Sequence, residues 1–136
     1  MKLITRDTDY AVRALCYIAR RKNKIISVSD LVAELKIPRP FLRKLLQILN
    51  TKGLLDSYKG KGGGFVLAAS PKKITLLNLI EIFQGPIQLS EHTLKKKMCP
   101  HIKTCALKRK LDIIEKYVIL ELKSINIAEL VKAGGR

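Results

Sequence analysis

The sequence predicts a mainly α fold with one small β-hairpin (α+β), and three observations predict it. Residues 27–53 carry two short helical repeats of leucine joined by a proline-bearing turn. Residues 54–69 form two short β-type runs around the glycine-rich tip Lys59-Gly60-Lys61-Gly62-Gly63-Gly64. The whole chain carries a formal charge of +16, from 27 Lys and Arg against 11 Asp and Glu in 136 residues. Helix, turn, second helix and basic hairpin is the winged helix-turn-helix plan, here followed by a long C-terminal helix suited to dimerisation.

Taken in order, the opening helix is expected over about Arg6 to Arg21. Tyr10, Ala11, Ala14, Leu15, Ile18 and Ala19 make its apolar face, Asp7 and Asp9 suit its start, and Arg20-Arg21-Lys22 suit its end. Cys16 lies within that pattern and reads as a small buried hydrophobe. Ser27 and Asp30 have the spacing of a capping box, opening a helix whose apolar positions are Leu31, Val32 and Leu35. Ile37-Pro38 closes it, because a residue before proline avoids the α region. Pro40 then stands in the first turn of the next helix, where proline is tolerated. Leu42, Leu45, Leu46 and Leu49 form its buried stripe, Arg39, Arg43, Lys44 and Gln47 face elsewhere, and Gly53 is placed to end it.

Within the hairpin the runs are Leu54 to Tyr58 and Phe65 to Leu67. Thr75 caps a fourth helix from Leu76 to about Phe83, burying Leu76, Leu77, Leu79, Ile80 and Phe83 before Gly85-Pro86. A polar, basic loop follows, and then the longest helix, Cys105 to about Lys123. Leu107, Leu111, Ile114 and Val118 line one face of it, widened by Ile113, Tyr117 and Leu120; a stripe that broad predicts a helix of a second copy as its partner. Asn126 and Glu129 start a last turn over Ile127 to Val131. The expected organisation is a DNA-binding domain at 1–85 with its wing at about 54–69, a sensor loop at 86–104, and a dimerisation helix with its tail at 105–136.

A field this basic favours a polyanion. Duplex DNA fits the helix-turn-helix, with Arg39, Arg43, Lys44 and Gln47 in a major groove and Pro40 at the head of the recognition helix. Lys59 and Lys61, with Gly62 and Gly63 permitting close backbone approach, make the wing. The competing readings are a nucleotide-cradling glycine loop and an anionic membrane surface. The first lacks the Lys-Ser/Thr and following helix of a P-loop. No run reaches the ~20 apolar residues of a membrane span. Arg6, Asp7, Asp9 and Arg13 interrupt any signal-like segment, so the expected compartment is the cytoplasm and the three cysteines are expected outside structural disulfides.

His92, Cys99, His101 and Cys105 fall in one basic loop with Lys95, Lys96, Lys97 and Lys103. Thiolates with imidazole suit zinc or an iron–sulfur cluster, although the spacing is not that of a structural zinc finger. A regulatory disulfide between Cys99 and Cys105, or plain surface thiols, are the other readings.

MKLITRDTDYAVRAL, IPRPFLRKLLQILNTKGLLDSYKGKGGGFVLA and Cys99-x5-Cys105 before a long helix together resemble the Rrf2 family of bacterial transcription factors, over nearly the whole chain. The resemblance implies a homodimeric winged-helix regulator, usually a repressor, bound to a palindromic operator. Its cluster-binding members carry three loop cysteines. Cys99 and Cys105 match the second and third, and His92 stands near the first. In some members a residue near the start of the partner's first helix completes the site, and Asp9 holds that position here. The implied ligand set for a 2Fe-2S or 4Fe-4S cluster is therefore His92, Cys99 and Cys105, with Asp9 from across the dimer and His101 in reserve. A family member without a cluster, sensing thiol state or a small metabolite, is the alternative, followed by a basic RNA-binding protein. No nucleophile–base set or cofactor motif points to an enzyme.

Overall fold

Local signals account for most of the elements, and long-range pairings assemble them. The computed structural model describes residues 2–89 and 105–134. It runs α1 (Arg6–Arg20), α2 (Val28–Leu35), α3 (Arg39–Thr51), β1 (Leu55–Tyr58), β2 (Gly64–Leu67), a 3-10 turn at Pro71–Lys73, α4 (Leu76–Gln84), α5 (Ala106–Ser124) and α6 (Ile127–Lys132). The Ser27–Asp30 capping box is formed, each side chain bonding the other residue's backbone N–H. Thr75 and Asn78 form a second one at the head of α4. Lys36 closes α2 in the left-handed region at φ 55°, and the buried Ile37 pins the turn beneath it. Past α3, Leu54 N–H reaches Leu49 O and Gly53 N–H reaches Asn50 O, both at 3.0 Å, with Gly53 at φ 82°. That is a Schellman stop, and Gly53 supplies the positive φ it requires.

Differences from the sequence expectation are mostly of one residue: α1 ends at Arg20, the strands start at Leu55 and Gly64, and Cys105 caps α5 rather than opening it. A larger difference concerns α1. Thr8, Val12 and Cys16 are buried together with Ala11, Ala14, Leu15, Ile18 and Ala19, so more than one face is covered. The helix lies between α2, α3 and β2 on one side and α4 and α6 on another, and its alanines let those neighbours approach. Leu31, Ile37, Leu42, Leu46 and Leu49 meet it from the helix-turn-helix, Leu55 from the hairpin, and Ile127 from α6.

The last helix joins that core through the backbone. Leu76 N–H donates to Ile125 O at 2.8 Å, and Ile127 N–H donates to Ile74 O at 3.0 Å. This two-residue bridge sets the N-caps Thr75 and Asn126 side by side. Between these ends α5 packs on α4 along one edge only. Leu122 is buried against Leu77 and Ile80, with Val118 and Ile119 half-buried beside them. The expected single stripe therefore divides. Val118 turns toward α4, whereas Leu107, Ile113, Ile114, Tyr117 and Leu120 stay exposed.

Candidate nucleic-acid interface and sensor loop

The buried leucines of α3 fix which way its polar residues point. With Leu42, Leu45, Leu46 and Leu49 inside, Arg39, Pro40, Arg43, Lys44 and Gln47 are all exposed, and α3 contains no acidic residue to offset them. Pro38 is the N-cap and offers no side-chain bond, so no side chain of the N-cap caps the first turn of α3. Arg39 Nη2 donates to Ser29 Oγ at 3.0 Å. That bond ties the start of α3 to α2 and fixes one guanidinium beside the outward face.

The wing is joined to this unit through the backbone. β1 and β2 pair antiparallel, Leu55 opposite Leu67 and Tyr58 opposite Gly64. On the far side of β2, Ile26 and Phe65 exchange both backbone hydrogen bonds, at 3.0 and 2.8 Å. Ile26 directly precedes the Ser27 cap of α2, so the helix-turn-helix and the wing share one rigid backbone junction. Gly64 makes it possible: a Cβ there would collide with the Ile26 carbonyl. A Cβ on Gly63 would likewise collide with the Tyr58 carbonyl. Lys59, Lys61 and Gly62 are exposed at the tip and Gly63 is half-buried. The residues expected at a DNA interface thus fall on two elements that are rigidly connected.

The ligand set expected for a metal is only partly described. His92, Cys99 and His101 lie outside the described residues. Cys105 is half-buried at the N-cap of α5, where its Sγ accepts from Lys108 N–H at 3.5 Å. The sulfur donor that Cys105 offers is of the kind a soft or borderline metal takes. The ammonium of Lys108 is engaged with Asp112 Oδ2 at 2.6 Å. Asp9 pairs with Arg13 at 3.0 Å in the first turns of α1. Among the described residues no group of three or more His, Cys, Asp or Glu side chains converges as a metal site.

Sequence reasoning missed two pairings. Gln84, the last residue of α4, reaches the start of α1. Arg6 lies with its Cζ 5.0 Å from the ring centroid of Phe41, a cation–π contact between α1 and α3. No local pattern marks either pairing, since each joins residues far apart in the chain.

Comparison with known proteins agrees with this architecture. The family model Rrf2, described as "Iron-dependent Transcriptional regulator", matches residues 4–133. An HTH-type transcriptional regulator of Aquifex aeolicus is 43% identical over 82 residues, which is 60% of this chain and 57% of that protein. The HTH-type transcriptional regulator NsrR of Bacillus licheniformis is 27% identical over 135 residues, covering 90% of this chain and 92% of that one. Among solved structures, CymR, the global cysteine regulator of B. subtilis, superposes with a TM-score of 0.75 at 22% identity, covering 98% of both chains.

Proposed function

The chain belongs to the Rrf2 family of bacterial transcriptional regulators, and on that premise we propose that it is a cytoplasmic, homodimeric repressor that binds a palindromic operator in duplex DNA. Members of the family are regulators of transcription and not enzymes. No helix among the described residues is long and apolar enough to cross a membrane. The observation that carries the reading is the shared backbone junction: Ile26, next to the cap of α2, pairs with Phe65 of the wing. It holds the acid-free face of Arg39, Arg43, Lys44 and Gln47 in fixed relation to Lys59 and Lys61. In this proposal α3 enters the major groove and the wing tip lies alongside, with half-sites about one helical turn apart. The proposed division of the chain is 1–85, 86–104 and 105–136, with α6 returning to the core of the first.

The exposed apolar face of α5 supports the dimer. Tyr117 is 69% and Leu120 63% exposed, and a second α5 crossing there would remove both from water. Binding of the purified protein to pools of random duplex, with RNA of the same sequences as competitor, tests the reading. Recovery of an inverted repeat supports it, and preference for RNA removes it.

The signal enters, in this proposal, at the segment before α5. His92, Cys99 and Cys105, with Asp9 of the partner subunit, would hold an iron–sulfur cluster, and a bound cluster would supply a centre that reacts with oxidants and nitric oxide. Two observations support part of that set: the thiol of Cys105 at a helix N-terminus and the family's description as iron-dependent. The same placement of Cys105 favours one second reading, a cluster-free sensor in which Cys99 and Cys105 form a regulatory disulfide. The likeness to a cysteine regulator accords with that alternative.

A further inference from the structure

We infer that Arg6, on the first turn of α1, is a further DNA-contacting residue, held in place by Phe41 to grip phosphate on the flank of α3 that lacks a cation of its own near its start. The inference rests on the DNA-binding reading and extends the interface to an element outside the helix-turn-helix and the wing.

Helical spacing divides α3 into two flanks. Arg39 and Arg43 are four residues apart and share one of them, the flank from which Arg39 reaches Ser29 of α2. Phe41 and Ile48 are seven apart and share the opposite flank. Pro40, Lys44 and Gln47 lie between the two flanks on the outward face. A helix seated in a major groove about 12 Å wide meets phosphates on both walls. Arg39, tied to Ser29, stands beside one wall at the start of α3, and no cation of the first turn shares the Phe41 flank. On the other side stands a phenyl ring that is 44% exposed, with Lys52 only at the far end of the helix.

Arg6 fills that gap. Its Cζ stands 5.0 Å from the Phe41 ring centroid, it is exposed, and among the described residues it forms no ion pair. Stacking on a ring leaves the in-plane N–H donors of a guanidinium free to bond a phosphate. A lysine in its place keeps the charge but loses that combination of stacking and directed donation. The neighbouring bonds make the placement rigid. Thr5 N–H and Thr8 Oγ1 both donate to Gln84 Oε1, at 3.0 and 2.6 Å, so the turn that carries Arg6 is fastened on both sides of it. Phosphate contacts of this kind set register and carry no sequence information.

The test is the salt dependence of binding of the full-length protein to a random-sequence duplex and to its selected operator, for wild type, Arg6→Ala, Arg6→Lys, Phe41→Leu and Lys61→Ala. Arg6→Ala is expected to flatten the log–log slope by about 0.9 for each phosphate no longer neutralised, twice that for a symmetric dimer. Both duplexes should weaken by the same factor, with the thermal midpoint unchanged. Arg6→Lys should recover the slope better than the affinity. In the Phe41→Leu background, Arg6→Ala should weaken binding less than it does alone. An unchanged slope for Arg6→Ala beside a flattened one for Lys61→Ala overturns the inference and leaves the DNA-binding reading standing. A wild type that shows no salt-dependent duplex binding overturns both.

Discussion

The side-chain oxygen of Gln84 accepts a 2.6 Å hydrogen bond from the hydroxyl of Thr8, and Thr8 is fully buried. The same oxygen accepts from Thr5 N–H at 3.0 Å, while Gln84 Nε2 donates to Leu3 O at 3.1 Å. Thr5 is the N-cap of α1 yet makes no side-chain cap of its own. A residue 79 positions away in sequence therefore serves as the cap. Because Gln84 is also the last residue of α4, one side chain joins the exit of that helix to the turn carrying Arg6 and Asp9.

Replacing Gln84 by alanine removes the 2.6 Å acceptor of the buried Thr8 hydroxyl, leaving it the 3.3 Å contact with Thr5 Oγ1, and uncaps the head of α1. The expected loss is about 1 kcal/mol, the net worth of a hydrogen bond, read as a lower urea midpoint with an unchanged m-value. Gln84→Glu keeps the acceptor and removes only the donor to Leu3, so it should lose less. Equal losses for both variants would mean that the amide donor, not the capping oxygen, carries the stabilisation.

These pairings mark the limit of what the sequence discloses. Ser27 with Asp30, Pro40 after Pro38, and Gly53 each act within a few residues, so capping, φ restriction and positive φ make them readable directly. The leucine stripe of α3 is equally local, and with it the outward set Arg39, Arg43, Lys44 and Gln47. Gln84 on Thr8, Arg6 on Phe41 and Ile127 in the α1 core depend on which elements meet, and nothing in their own neighbourhoods specifies that. Burial of Thr8 and Val12 was hidden for the same reason: a helix contacted from several sides has no single stripe to find. The position of Cys105 at the head of α5 was legible because a cysteine before a long helix is a local pattern.

The two parts of the proposed DNA interface should fail differently. Arg43 is exposed on the outward side of α3, so Arg43→Ala should relax preference at one position of each half-site, by about 1–3 kcal/mol of discrimination. Lys61, at the wing tip, should act on every sequence alike, flattening the log–log salt slope by about 0.9 for one phosphate. Binding titrations against the operator and single-base variants separate the two. Equal weakening across all sequences in both variants would remove α3 from its role as the base-reading helix.

The division of α5 predicts opposite phenotypes for neighbouring residues. Leu122 is 4% exposed against Leu77 and Ile80, so Leu122→Ala should lower the subunit's own stability by about 2–5 kcal/mol. Tyr117 and Leu120 touch little of their own chain. Tyr117→Arg or Leu120→Asp should therefore leave a folded subunit but shift sedimentation toward monomer, with loss of cooperative operator binding. A dimer that survives both charged variants would place the interface elsewhere.

The sensor proposal turns on Cys105. As N-cap of α5 it stands at the end of the loop segment, and its Sγ accepts from the Lys108 amide. Cys105→Ser keeps a cap oxygen able to accept that bond, so α5 should stay folded while the soft ligand is removed. Protein purified without oxygen should carry stoichiometric iron and acid-labile sulfide in the wild type and neither in Cys105→Ser, with helical content equal in the two. His92→Ala and Asp9→Ala would then each be expected to reduce cluster retention by a smaller margin. Iron absent from the wild type as well, together with a Cys99–Cys105 disulfide that forms reversibly under oxidation and changes operator affinity, would transfer the sensing role to thiol chemistry at the same helix end.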